Sequence, residues 1–175
     1  GKAHYAPCAA CHGAAGEGNA TLNAPALAAQ DAAYVARQLQ SFRAGLRGAD
    51  PADTLGAQMR GMAAALPDEQ AVADVAAFVA SLPLAPASGE ASGDLRNGNN
   101  YYQGKCGACH GGKAEGNAAL NSPRLAGQDT AYLKRQFLAF RDGRRGVAQE
   151  DRFGRQMAMM AKTLPTEKDI DVSRD

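Results

Sequence analysis

Tryptophan is absent from this sequence, and phenylalanine and tyrosine contribute only five residues each. The apolar fraction of 45% therefore rests largely on alanine and other small or aliphatic side chains. A domain of about 80 residues with so few large side chains buries a modest core and calls for an added stabiliser, such as a metal or a large apolar ligand. No apolar run approaches the roughly 18 residues that read as a membrane span. The formal net charge is +1, without the basic excess that nucleic-acid binding requires. No stretch alternates between apolar and polar residues as a half-buried strand does, so an all-α fold is expected. The sequence has no initiator methionine and no signal-like segment. It opens within a helix-like stretch, as a processed or trimmed chain does, and both ends are expected to continue in the native protein.

What is present is organised by duplication. Displaced by 98 positions, the sequence falls on itself: Cys8, Cys11 and His12 meet Cys106, Cys109 and His110. Glu17-Gly18-Asn19 meets Glu115-Gly116-Asn117, Arg37-Gln38 meets Arg135-Gln136, and Gln58-Met59 meets Gln156-Met157. Two large copies mean a duplicated domain and not a short-period solenoid. The expected organisation is a first domain at 1–84, a Pro, Ala, Ser and Gly-rich linker at 85–96, and a second domain at 97–175 with its last helix, around Ile170 and Val172, cut short. In the first copy, Asp31 to Arg43 reads as an amphipathic helix with Asp31 as N-cap and Gly45 as stop. Pro67-Asp68-Glu69 opens another, with Val72, Val75, Ala76 and Val79 on one face.

The four cysteines fall into Cys8-Ala9-Ala10-Cys11-His12 and Cys106-Gly107-Ala108-Cys109-His110. This C-x-x-C-H pattern reads as c-type haem attachment. Two cysteines three residues apart on one helical turn can hold a porphyrin through two thioethers, and the next residue, a histidine, lies under the iron. A disulfide framework leaves both histidines unexplained. A zinc site built from C-x-x-C pairs needs the two copies to converge, and a thioredoxin-like motif needs a βαβ context that is missing.

The sequence has three histidines, and two belong to these motifs. Bis-histidine ligation of two haems needs four, so at least one iron takes another sixth ligand. All five methionines fall in one loop-like segment per copy: Met59 and Met62, then Met157, Met159 and Met160. Met59 aligns with Met157 and Met62 with Met160, so either pair could serve, and His/Met ligation raises the haem potential. A ligating histidine usually donates its other N–H to a carbonyl. Pro25 and Pro123 follow their histidines by thirteen residues in matching Asn-x-Pro segments, which makes their carbonyls candidates.

With these residues in place the chain resembles the class I cytochromes c, and among them the dihaem cytochrome c4 family. The shared elements are CxxCHG, Asn-x-Pro-x-Leu-Ala-x-Gln, Tyr-x-x-x-Gln-Leu-x-x-Phe-Arg-x-Gly, and a methionine segment ahead of Leu66-Pro67-Asp68-Glu69. The resemblance implies two tandem class I cytochrome c domains, each wrapped around one covalently bound haem c. It implies that Cys8, Cys11, Cys106 and Cys109 carry the thioethers and that His12 and His110 bind iron. It selects Met59 and Met157 as sixth ligands, leaves Met62 and Met160 to packing, and gives Pro25 and Pro123 the carbonyl role. It further implies a periplasmic electron carrier, soluble or peripherally associated with the inner membrane, without substrate chemistry of its own. Such a carrier takes electrons from a quinol–cytochrome c reductase or a dehydrogenase and passes them towards a terminal oxidase. The competing readings are a subunit of a larger oxidoreductase complex, and a dihaem peroxidase or thiosulfate dehydrogenase, which would need an exchangeable coordination site.

The charges divide unevenly. Residues 1–84 carry five basic and seven acidic side chains, residues 85–96 one and two, and residues 97–175 thirteen and nine. That asymmetry fits a shuttle whose two ends meet partners of opposite charge.

Overall fold

The computed structural model describes residues 1–90 and 92–164, and the expected last helix at Ile170 and Val172 lies outside them. The chain divides into two compact units, Gly1–Pro86 and Ala87–Asp175. Within the described residues both units are helical, and the only β-type pairings are the isolated bridges Asn19–Ala24 and Asn117–Ser122.

The first unit contains α1 (Lys2–His12), a 3₁₀ turn (Ala20–Leu22), α2 (Ala32–Arg43), α3 (Thr54–Ala64) and α4 (Glu69–Ser81). Three aspartates start three of these helices by satisfying a backbone N–H that the first turn leaves open. Asp31 accepts from Tyr34, Asp53 from Gly56 and Asp68 from Ala71, each at 2.8 Å. As the sequence suggests, α2 stops at Gly45, whose φ of 73° favours glycine. Val72, Val75, Ala76 and Val79 of α4 are buried, with Val72 and Val79 fully closed to solvent. They form the core together with Tyr5, Val35 and Leu66. Helix α4 packs on both α1 and α2, and α3 packs on α2.

The second unit repeats this plan with one change. Its first helix runs as α5 (Leu95–Tyr101), passes through a π-helical turn at Tyr102–Cys106, and ends as α6 (Gly107–His110). A 3₁₀ turn (Ala118–Leu120), α7 (Thr130–Arg141) and α8 (Arg152–Ala161) follow. Asp129 caps α7 through Tyr132 at 2.9 Å, and Asp151 caps α8 through Gly154 at 2.8 Å. Phe140, Ala158 and Ala161 form the core, with Phe137 and Met157 against them.

One feature adds to the sequence reading and one departs from it. The stretch 85–96 read as linker includes Ser88, whose hydroxyl lies 3.0 Å from Asp129 Oδ2 and whose carbonyl accepts from Thr130 N at 3.0 Å. The methionine segments, read as loops, are helices α3 and α8. Helix α3 escapes an apolar-periodicity reading because it buries the small residues Gly56 and Ala63, whereas α8 has Phe153, Met157 and Ala161 at helical spacing, a signal that was present in the sequence.

Candidate functional site

In each unit the two thiols and the histidine that the repeat aligns sit on the last turns of the first helix. Cys8 and Cys106 are half-buried, Cys11 and Cys109 are exposed, and none of the four is in a disulfide. Burial pushes the thiols of Cys8 and Cys106 upward, and for Cys106 the neighbouring Lys105 opposes it. Cys8 packs against the apolar core, so a group bonded there would meet that core directly.

His12 and His110 close the two helices and are buried, 5% and 9% exposed. His12 Nδ1 lies 2.9 Å from the Pro25 carbonyl oxygen and His110 Nδ1 2.9 Å from that of Pro123. A carbonyl cannot donate, so each Nδ1 carries the proton and Nε2 keeps its lone pair. Burial pushes both imidazoles down from the ordinary histidine range, and the proline carbonyl acts against it. The neutral ring with Nε2 unprotonated is the form that binds a metal.

The backbone after each histidine turns sharply. Gly13 has φ 82° and Gly111 φ 86°, and a Cβ on either would strike the carboxylate of Glu17 or Glu115. Those carboxylates accept from the N–H of Ala15 and Lys113 at 2.9 and 2.8 Å. The His12 carbonyl accepts from Gly18 N at 2.8 Å and that of His110 from Gly116 N at 2.7 Å.

Met59 lies half-buried on α3 and Met157 half-buried on α8, where Met157 packs against the second core. Met62 and Met160, expected to pack, are instead 43% and 42% exposed. In both units the first methionine of the aligned pair is thus less exposed than the second.

Sequence reasoning missed two sets of residues. The Tyr5 hydroxyl donates to the Gly13 carbonyl and that of Tyr102 to the Gly111 carbonyl, both at 2.7 Å. Arg47, nearly buried, donates from Nη1 to Gln38 at 2.8 Å with its guanidinium 4.5 Å from the Phe42 ring centre. Arg145 repeats this with Gln136 at 2.8 Å and Phe140 at 4.3 Å. The Arg47 arrangement was legible in the 98-residue repeat; the tyrosines break that register.

The donor set fits a haem c. Each unit offers two unbridged thiols, one imidazole held as a neutral Nε2 ligand, and a half-buried thioether on another helix. Among the described residues no three His, Cys, Asp or Glu side chains are grouped to hold a bare metal ion. No described helix is long and apolar enough to cross a membrane.

Comparison with known proteins supplies the family. The sequence pattern of the cytochrome c family matches residues 1–83 and again 95–172. Cytochrome c4 of Azotobacter vinelandii is 34% identical over 156 residues, covering 83% of this chain and 72% of that protein. A thiosulfate dehydrogenase electron acceptor of Stutzerimonas stutzeri is 38% identical over 157 residues, 84% of this chain and 68% of that protein. The crystal structure of reduced recombinant cytochrome c4 from Pseudomonas stutzeri superposes with a TM-score of 0.78 at 30% identity, covering 99% of this chain and 93% of that one.

Proposed function

The chain belongs to the cytochrome c family, in its dihaem cytochrome c4 branch, and from that premise we propose a periplasmic shuttle between respiratory partners. It is an electron-transfer protein with two covalently bound haem c groups, and the cytochrome c4 proteins it matches are carriers and not enzymes. In this reading a quinol-oxidising complex or a dehydrogenase supplies electrons and a terminal oxidase takes them up. The first haem belongs to residues 1–84 and the second to 97–175, with 85–96 between them.

Haem iron, when bound, supplies reversible one-electron chemistry. The protein's part is to hold the iron's surroundings constant. Cys8 and Cys11, and Cys106 and Cys109, attach the two porphyrins. His12 and His110 ligate through Nε2 because Nδ1 is committed to Pro25 and Pro123, which fixes both tautomer and ring orientation. Met59 and Met157 complete the coordination as the half-buried members of their pairs. With a histidine and a methionine of each unit both given to the iron, no position would remain for a substrate, which favours the carrier over a peroxidase. The observation that carries this reading is the histidine–proline contact, found in both units at the same length.

One observation bears on the donor. A relative at 38% identity is named as an electron acceptor of thiosulfate dehydrogenase, which favours a dehydrogenase of that kind over a quinol-oxidising complex. Stopped-flow reduction tests this. Mixing the oxidised protein with thiosulfate and a thiosulfate dehydrogenase should reduce both haems within the enzyme's turnover time. Reduction only by quinol-oxidising membranes would reverse that preference.

A further inference from the structure

The Tyr5–Gly13 and Tyr102–Gly111 bonds are equivalent in space and not in sequence. Gly13 and Gly111 correspond under the 98-residue displacement, whereas Tyr5 corresponds to Gln103 and Tyr102 to His4. Tyr5 stands three residues before Cys8, and Tyr102 four before Cys106. The second unit absorbs the extra residue in the π-helical turn Tyr102–Cys106, and π turns of this kind gather at functional sites. Each hydroxyl then reaches its glycine carbonyl at the same 2.7 Å. Two backbone routes to one contact point to the contact as the feature that is built in.

The gripped carbonyl belongs to the residue that follows the histidine. Around His12 the backbone is held by Gly18 N on the His12 carbonyl, by Gly13 N on the Ala9 carbonyl at 3.0 Å, and by Tyr5 on the Gly13 carbonyl. Tyr5 is 2% exposed, and its ring lies against Phe78 of α4 with centres 5.2 Å apart. It thus ties the histidine turn to the helix that forms the floor of the core. In the second unit Gln103 Nε2 adds a bond to the Gly112 carbonyl at 2.9 Å.

We infer that Tyr5 and Tyr102 are positioning residues for the axial histidines, acting through the peptide that follows each one. This rests on the reading of His12 and His110 as iron ligands. A histidine whose backbone is loosened donates less firmly to iron, which disfavours the ferric state. Removing the hydroxyl therefore raises the potential of that unit's haem and leaves the other unchanged. The second unit keeps Gln103, so it responds less.

The test uses the mature two-haem protein with Tyr5→Phe, Tyr102→Phe and Tyr102→Phe/Gln103→Leu. Phenylalanine keeps the buried ring, and the unaltered haem in each molecule reports that the protein is assembled. Spectroelectrochemical titration gives both midpoints, and paramagnetic NMR of the ferric protein gives haem-methyl shifts that follow ligand orientation. Tyr5→Phe should shift one haem's redox equilibrium about threefold, about 30 mV at 59 mV per tenfold, and move only that haem's methyl signals. Tyr102→Phe should do less to the other haem, and the double variant should match Tyr5→Phe. If the variants lose thermal stability but keep wild-type potentials and methyl shifts, the tyrosines are structural only and the inference is overturned. If the wild-type protein lacks two histidine-ligated low-spin haems, the ligand reading fails first and the inference falls with it.

Discussion

His12 and Pro25, thirteen residues apart, meet at 2.9 Å between Nδ1 and a carbonyl oxygen. The bond lends the ring anionic character, which strengthens it as a ligand to ferric iron. Proline at this position fixes φ and so aims the carbonyl. Pro25→Ala should relax the contact and raise the first haem's midpoint, with a two- to threefold change in its redox equilibrium, roughly 20–30 mV for a one-electron couple. Potentiometric titration against the wild type checks this, with the second haem as internal control.

High pH should expose the role of the tyrosine hydroxyls. Burial, with Cys8 and Glu17 nearby, pushes Tyr5 up to about 12 from an ordinary 10.0, and burial does the same for Tyr102, also to about 12. Burial remains when Cys8 is a thioether. A group whose folded value is raised contributes stability below its unfolded value and loses it as pH climbs through the folded one. The native haem spectrum should therefore hold to about pH 10 and fail towards pH 12. Tyr5→Phe should flatten that loss for the first unit, as followed by absorbance during an alkaline titration.

Asp68 caps α4, whose apolar face supplies most of the first core. Asp68→Ala should cost the first unit about 1 kcal/mol without altering either haem's coordination. Urea unfolding followed at both haems would show one transition moving to lower denaturant and the other staying in place.

The basic excess of residues 97–175 is partly answered within the chain, since Arg141 and Arg144 both pair with Asp142 at 2.8 and 3.6 Å. Arg152 and Arg155 remain exposed on α8. Electron exchange with an acidic partner should slow as salt rises, because exposed charges mainly set the encounter rate. Arg155→Glu should lower the rate constant severalfold at low salt and little at high salt, as measured by stopped flow.

Legibility in the sequence followed side-chain size. Helices α2 and α4 carry aliphatic residues at helical spacing behind an aspartate cap, so period and cap agree. Helix α3 buries glycine and alanine, which leave no apolar stripe, whereas α8 carries Phe153, Met157 and Ala161 at helical spacing, a period the sequence reading passed over. The Cys-x-x-Cys-His motifs announce their chemistry through residue type and spacing alone. The Pro25 and Pro123 contacts were reachable because the repeat keeps the thirteen-residue interval intact. Tyr5 and Tyr102 were not, because the register slips by one residue ahead of Cys106 and only a three-dimensional π turn restores the equivalence.

What completes each iron's coordination decides between a carrier and an open, ligand-binding haem. The weak band near the near-infrared edge that methionine–ferric coordination gives should be recorded for the oxidised protein and for Met59→Ala and Met157→Ala. Two His/Met haems predict a band in the wild type that each variant halves, with Met62→Ala and Met160→Ala leaving it intact. A wild-type protein with one high-spin haem, or a band untouched by Met59→Ala and Met157→Ala, would contradict the assignment and reopen the site to exogenous ligands.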